Sequence, residues 1–583
     1  MRGRRGSAIV MLAVAALGMA IVPGVRASDT GETAPVPTVR YVLRPVDGGG
    51  EIRALDVSIE ISGAAGSPQQ ALFTLPLVSW NVPTVAAALP RLAARDEHGS
   101  FALQASDEGE DDAKLRRWFP ERRTVGKVTL GYSVPPVSAD APRGAAPPVE
   151  PRAEAGAISG GAAIVLLRPA SAQAHFSIEW DLGALPSGAA GLHSPMPPPR
   201  EAQRADFLDE VYYMAGRLDR YPAAAVADGF FAAWQGEPPF AARALMQWTA
   251  ELYGHYEKFF GTAPAPYGVF MRRNPVNAGG GMGMHRSFIV TFGEDRGNDP
   301  GELKLTLAHE MFHTFQPMLT AGEAEGGQLA ASWFNEGLAT YYQRTLPLRF
   351  GLLDAAAFLA DLNFHAGRYY TSAMANVPNS QVAANFWKDT RIRTLPYDRG
   401  FLYFATVDES MRRATDGQRS LDDLMLAMKR LERSAGRPIV RQDWADLLQH
   451  ELGAQAVDEF ERVLAGGTPL PSSEAFGPCF RRVAKPLRRY ELGFEPAVLT
   501  ESPRRVRGLV PGSAAQAAGL REGDIILKPV PQDQIQGEQT GLLTLSIRRG
   551  DESTEITYLP RGETVEAWQW ERVPGDTSAA CAL

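Results

Sequence analysis

At 583 residues the chain is too long for a single hydrophobic core, and roughly two to four domains are expected. Its 45% hydrophobic and 22% charged residues are ordinary for a soluble, folded chain. With 59 basic against 67 acidic residues and no basic run, it lacks the surface that attracts phosphate backbones or anionic lipid, so no nucleic-acid partner is expected.

The first element in chain order is a targeting segment. Arg2, Arg4 and Arg5 precede an apolar run from Ala8 to Val22, interrupted by Gly18. Small residues in Val25-Arg26-Ala27 place a signal-peptidase cut after Ala27. The alternative is an anchor that stays in the membrane, but the run is short for a span and Pro23-Gly24 follows it at once. No cysteine for a lipid anchor stands near the cut, and Arg4-Arg5 is too weak for a twin-arginine signal. Residues 1–27 therefore read as a signal peptide, and the protein as periplasmic or secreted. Their removal leaves 55 basic residues against the same 67 acidic ones and moves the formal net charge from −8 to −12. No later stretch is long and apolar enough to span a bilayer, so no stable membrane span is expected after cleavage.

Residues 28–195 read as a β-rich domain. Arg40 to Leu43, Leu55 to Ile61, Ala71 to Leu77, Lys127 to Tyr132 and His175 to Trp180 carry β-branched or alternating patterns. Pro135 to Gly161 reads as a long Pro/Ala/Gly loop, and Leu192 to Pro199 as a linker. Residues 196–470 are helix-rich. Phe240 to Phe260 is amphipathic, Tyr267 to Met271 is a short strand candidate, and Glu302 to Phe315 is a helix ended by Gln316-Pro317. A second helix is expected over Ser332 to Arg344, capped by Ser332, with further helices near 354–364, 400–413, 420–435 and 441–452. Residues 475–575 return to short strands and turns.

The chemistry sits at the end of the first of those helices, in Leu307-Ala308-His309-Glu310-Met311-Phe312-His313-Thr314-Phe315. Positions four apart on a helix lie nearly above one another, so His309 and His313 aim two imidazoles at one point. Two neutral imidazoles suit Zn²⁺, and one ion is expected. Glu310, one step round the helix, stands where a general base can take a proton from a metal-activated water. A catalytic zinc needs a third protein ligand, and Glu336 in Trp333-Phe334-Asn335-Glu336-Gly337 lies on the next helix, beyond a Gly/Glu-rich turn. The only cysteines, Cys479 and Cys581, are remote from this motif. In an oxidising compartment they form a disulfide; the alternative is two unpaired thiols.

These two segments resemble the gluzincin peptidases, the class of thermolysin and aminopeptidase N. Tyr397-Asp398-Arg399-Gly400-Phe401 and Ser420-Leu421-Asp422-Asp423 are similar to signatures of the glycyl aminopeptidase family. The resemblance implies a multidomain α+β protein: a β-rich N-terminal domain, a thermolysin-like α-rich zinc peptidase domain and a C-terminal PDZ-like β domain. It assigns Tyr397 to the oxyanion of the tetrahedral intermediate, the alternative being a packing tyrosine. It also aligns Gly279 to Ser287 with the segment whose glutamate holds a substrate's α-amino group in related aminopeptidases. Here Met284 stands at that position, and a thioether offers no charge to an ammonium. Gly281 in the glycine run can admit a peptide backbone, and His285 touches substrate or is structural.

Leu492-Gly493-Phe494 resembles the PDZ loop that captures a terminal carboxylate, and Gly508 to Leu527 resembles a PDZ core in the bacterial arrangement. Lys528-Pro529-Val530-Pro531 departs from it, so the module either binds a C-terminal peptide or only packs. The expectation is a zinc-dependent peptidase acting on peptides or proteins, with Met284 favouring either cleavage inside chains or an aminopeptidase that anchors the amino terminus elsewhere. The alternative is a catalytically retired peptide-binding protein that uses the PDZ module and the groove.

Overall fold

The computed structural model describes residues 36–573 except 81, 111–113, 138–147, 196–199, 224–228, 263–264, 275–277, 295–296, 323–325, 529 and 531. The expected signal peptide and Cys581 lie outside the described residues. The chain is multidomain and mixed α/β, β-rich at its N-terminal end and helical towards its C-terminal end. It forms two compact units. One comprises residues 36–250 and 265–298, the other 251–262 and 299–573.

The first unit is built on a ten-stranded sheet. Thr38–Asp47 pairs antiparallel with Ile52–Ser62 and parallel with Gln173–Trp180. Alternation places Val39, Tyr41 and Leu43 of one strand and Leu55, Val57, Ile59 and Ile61 of the next inside, all 1% exposed or less. The Tyr41 hydroxyl donates to the Leu167 carbonyl at 2.8 Å, which satisfies its polar end within the core. A five-stranded sheet follows. Phe230–Trp234, Tyr267–Arg273 and Ser287–Phe292 run parallel, and Gly281–Met284 forms the edge beside Ser287–Phe292.

Two expectations here need correction. The stretch expected as loop from Pro135 to Gly161 contains strands Arg152–Glu154 and Ala157–Gly161, because the backbone of Ala157–Gly161 is paired in register with strand Tyr212–Gly216 on one side and with Arg152–Glu154 on the other. The expected linker begins with strand Ala190–His193, paired to the same partner; residues 196–199 lie outside the described residues.

In the second unit, helix Pro300–Phe315 starts at Asp299, whose carboxylate accepts from the Gly301 and Glu302 amides at 2.7 and 3.2 Å, with Pro300 in the first turn. It packs on helix Gly327–Arg349, which begins five residues before Ser332. Ser332 is therefore no cap; its hydroxyl bonds to the Leu329 carbonyl within the helix at 2.7 Å. Helix Leu395–Ala414 crosses Gly327–Arg349 at a pair of glycines. A Cβ on Gly337 would lie 2.7 Å from Gly400 Cα, and one on Gly400 2.6 Å from Gly337 Cα, so only glycine lets the two backbones touch.

Beyond the helices, Phe480–Tyr490 and Arg561–Arg572 form a long antiparallel ribbon. Between its arms lies a small module with a four-stranded sheet and its own core, including Leu492, Phe494, Val498, Leu520 and Ile547. The ribbon is tied to helix Ala355–Tyr370 by Asn363. Its amide nitrogen donates to the Trp570 carbonyl and its oxygen accepts the Trp570 amide, both at 2.7 Å. No helix of the described residues is long and apolar enough to cross a membrane.

Candidate metal and catalytic centre

The sequence places His309 and His313 on one helix and Glu336 on the next, and the fold brings their ligand atoms together. His309 Nε2 lies 3.1 Å from Glu336 Oε2 and 3.1 Å from His313 Nε2; His313 Nε2 lies 3.4 Å from Glu336 Oε2. A tetrahedral ion with bonds of about 2.0–2.1 Å sets its ligand atoms ~3.3 Å apart. The three atoms thus match the spacing that zinc requires. His309 and Glu336 are buried, while His313 is partly open.

The tautomer of His309 agrees with that role. His309 Nδ1 faces Gln343 Oε1 at 2.9 Å, and an amide oxygen can only accept, so Nδ1 carries the proton and Nε2 presents its lone pair. Gln343 stands seven positions after Glu336 on the same helix face, and its Nε2 donates to Asp361 at 3.1 Å. His313 Nδ1 lies 2.8 Å from Gln316 Nε2, while Gln316 Oε1 has no partner among the described residues. The same Gln316 Nε2 donates to the Asn335 carbonyl at 3.2 Å, which fixes the amide beside the His313 ring. Asn335 fixes the chain after the motif helix, accepting the Leu319 amide at 3.0 Å and donating to its carbonyl at 2.9 Å.

Electrostatically the site favours positive charge. Burial alone would raise Glu336, but the charge of His313 and the close approach of both imidazoles hold it at about 2. Burial would lower His313; Glu336, by charge and hydrogen bond, outweighs it and raises that histidine. Burial raises Glu310, only partly offset by the two histidines. Tyr397 lies in the first turn of helix Leu395–Ala414, its ring stacked on His309 with centroids 6.0 Å apart. Burial, then the charges of Glu336 and Glu310, push its phenol well up, so it stays a donor.

Gly281, Met284 and His285 belong to the other unit. Gly281 and Met284 lie on the edge strand of the five-stranded sheet, and His285 is exposed at the turn that follows. A Cβ on Gly281 would lie 2.2 Å from the Phe288 ring and 2.3 Å from the Ile289 carbonyl, so packing within its own sheet already demands the glycine. Met284 packs partly buried against the hydrophobic core of that unit, and His285 Nδ1 lies 3.7 Å from Glu210. Leu492 and Phe494 are 4% and 3% exposed, in the core of the small module. Between them Gly493 takes φ +83°, and a Cβ there would meet Ala515 and Ser513 at 2.7 and 2.9 Å. Cys479 is disulfide-bonded.

Gln343, Gln316, Asp361 and Asp398 were not singled out from the sequence. The i, i+7 spacing from Glu336 is the available signal for Gln343; Asp398 sits within the Tyr397 to Phe401 signature and Gln316 in the helix stop, while nothing local marks Asp361.

No protein-family model matches the chain, and no curated protein matches it. Among solved structures, an aminopeptidase N family protein from Idiomarina loihiensis is similar over 94% of this chain and 100% of its own, with a TM-score of 0.63 and 14% identity. An M1 zinc metallopeptidase from Deinococcus radiodurans matches 75% of this chain and 95% of its own, at 16% identity and a TM-score of 0.42. Native yeast LTA4 hydrolase matches 75% of this chain and 68% of its own, at 12% identity and a TM-score of 0.42. At these identities the likeness is one of fold, carried by the first of the three.

Proposed function

We propose that the chain is a zinc-dependent peptidase. The observation that carries this reading is the convergence of His309, His313 and Glu336 at tetrahedral spacing, with Glu310 on the next position of the same helix. Bound zinc would supply a Lewis acid and lower the pKa of a water at neutral pH. Glu310 takes the proton of the attacking water and returns it to the leaving amine. Tyr397 donates its phenolic proton to the oxygen that gains charge in the transition state, and Gln343 holds the His309 ring with its lone pair inward. The aminopeptidase N-type fold supports the reading.

Met284 argues for cleavage inside chains over removal of N-terminal residues, because it cannot pair with an ammonium. The free edge of strand Gly281–Met284 suits an extended peptide. The disulfide at Cys479 supports an oxidising, periplasmic or secreted location. We read residues 475–575 as a PDZ-type module, with Leu492, Gly493 and Phe494 as its carboxylate loop.

The test is an unbiased peptide library with zinc analysis and a chelator control. Chelator-sensitive cuts at internal bonds are expected. Products that always begin at the N-terminus would show an aminopeptidase; peptide binding without cleavage by the zinc-loaded protein would show a retired peptidase.

A further inference from the structure

The small C-terminal module reaches into the catalytic region through one short helix, Gln532–Gly537. That helix is held at both ends. On the module's side, Arg561 Nη2 donates to the carbonyls of Ile535 and Gln536 at 2.5 and 3.1 Å. On the other, the Asp533 carboxylate accepts from Thr390 and from Arg393 Nη2, the latter at 2.7 and 2.8 Å. The Asp533 carbonyl accepts from Arg368 Nη1 at 3.0 Å.

Arg368 turns its remaining nitrogens the opposite way. Nε and Nη2 grip the two oxygens of Asp398, each at 2.6 Å, and His365 Nδ1 adds a bond to Asp398 at 2.7 Å. Burial alone would raise Asp398; the charge of Arg368 and the bonds from His365 and Arg368 outweigh it and keep the carboxylate ionised. Asp398 immediately follows Tyr397. A second arm runs from His365 through Asp361, 3.6 Å from its Nε2, to Gln343 and His309 Nδ1. Asp361, His365, Arg368, Asp398 and Asp533 are all 7% exposed or less.

We propose that Asp533 is a positioning residue for Tyr397, which makes the C-terminal module part of the catalytic apparatus as well as a domain beside it. The proposal rests on the peptidase reading for Tyr397. Its physical basis is that a buried ion pair cannot lose one partner without the other moving to find water or a new counter-charge. Without the Asp533 carboxylate, Arg393 is left unpaired, the short helix loses its anchor and Arg368 loses a fixed acceptor. Asp398, and with it the first turn of helix Leu395–Ala414, is then free to shift.

The test uses the full chain with Asp533→Ala, Tyr397→Phe and the double variant, on a peptide that the wild type cleaves. Asp533→Ala is expected to lower kcat about tenfold, with KM within about twofold and zinc content unchanged, as for loss of an outer partner of a catalytic group. In the Tyr397→Phe background the same change should cost less than about twofold, because no phenol is left to misplace. Amide hydrogen exchange over residues 395–402 should quicken in Asp533→Ala. Should that variant fail to fold, Arg393→Gln removes the same pair from its other side, with a loss of about threefold expected. A full tenfold loss on top of Tyr397→Phe, or unchanged exchange at 395–402, overturns the proposal. A wild type that cleaves nothing overturns the peptidase reading instead, and the exchange comparison still decides the coupling.

Discussion

Glu310 emerges about 100° round the helix from His309, so it flanks the point where the two imidazoles meet without competing for it. The residue as a whole is 9% exposed, which limits it to a base for something held beside it. Glu310→Gln keeps the shape, removes the base and touches no ligand. Turnover is expected to fall by roughly 10²–10⁴-fold while zinc, measured by elemental analysis, stays stoichiometric. Gln343 gives the complementary case. Gln343→Ala leaves all three ligands in place but frees the His309 tautomer, and zinc affinity by competition with a chelator should weaken about 10–100-fold. These residues differ in how far the sequence reveals them. His309, Glu310 and His313 are legible because one helix turn relates them. Glu336 needed only a turn and a second helix. Asp361 matters through contacts between helices that no local spacing marks, and Asp398, though inside the Tyr397 signature, has its role only through partners on another helix.

Elements show the same divide. Helices Pro300–Phe315, Leu421–Ala435 and Arg441–Leu452 stand close to their expected spans, the first stopped by Gln316-Pro317 and the second capped by Ser420 with Asp423. Strands Arg91–Asp96, Gly99–Glu108 and Leu115–Pro120 were not found, because their inward positions include alanines and a salt-bridged Asp96 among charged outward ones. The period is present, but the hydrophobic contrast is weak. Helix Gly327–Arg349 extends beyond the expected Ser332 to Arg344 at both ends, and its first turn lacks a side-chain cap that would mark its start. Its crossing with Leu395–Ala414 is the contact that seats Glu336, next to Gly337, near Tyr397, three residues before Gly400. A methyl group at either glycine has backbone in its way, so the helices must separate. Gly400→Ala is expected to cost about 1–3 kcal/mol of stability, as overpacking does. It should also reduce kcat in the fraction that folds with zinc bound. Thermal unfolding and turnover per zinc check both; an unshifted midpoint would mean that the crossing yields freely.

At the scale of the whole molecule, composition suggested a boundary near 195, where strands give way to helices. The compact units divide elsewhere, because Phe231, Phe270, Met282 and Ile289 join the same core as Val39, Tyr41 and Leu43. Such long-range packing leaves no periodic trace. The N-terminal unit also carries a pH sensitivity that its pattern does not announce. His193 ends strand Ala190–His193 at 5% exposure, and neither ring nitrogen has a partner among the described residues. Burial lowers its pKa from 6.5 to about 4, because a charged ring there would lose its water and gain nothing in return. Between those two values the unfolded chain binds a proton that the folded unit refuses. Stability is therefore intact above pH 6.5 and falls on acidification by up to ~1.4 kcal/mol per pH unit, levelling off near pH 4. His193→Leu removes the titrating group while keeping an apolar side chain in the space. Exchange protection of strand Thr38–Asp47, paired on both sides in its sheet, reports the opening free energy of this unit. In the wild type it should drop faster between pH 7 and 5 than in the variant. Equal slopes would mean that His193 takes up its proton as easily folded as unfolded.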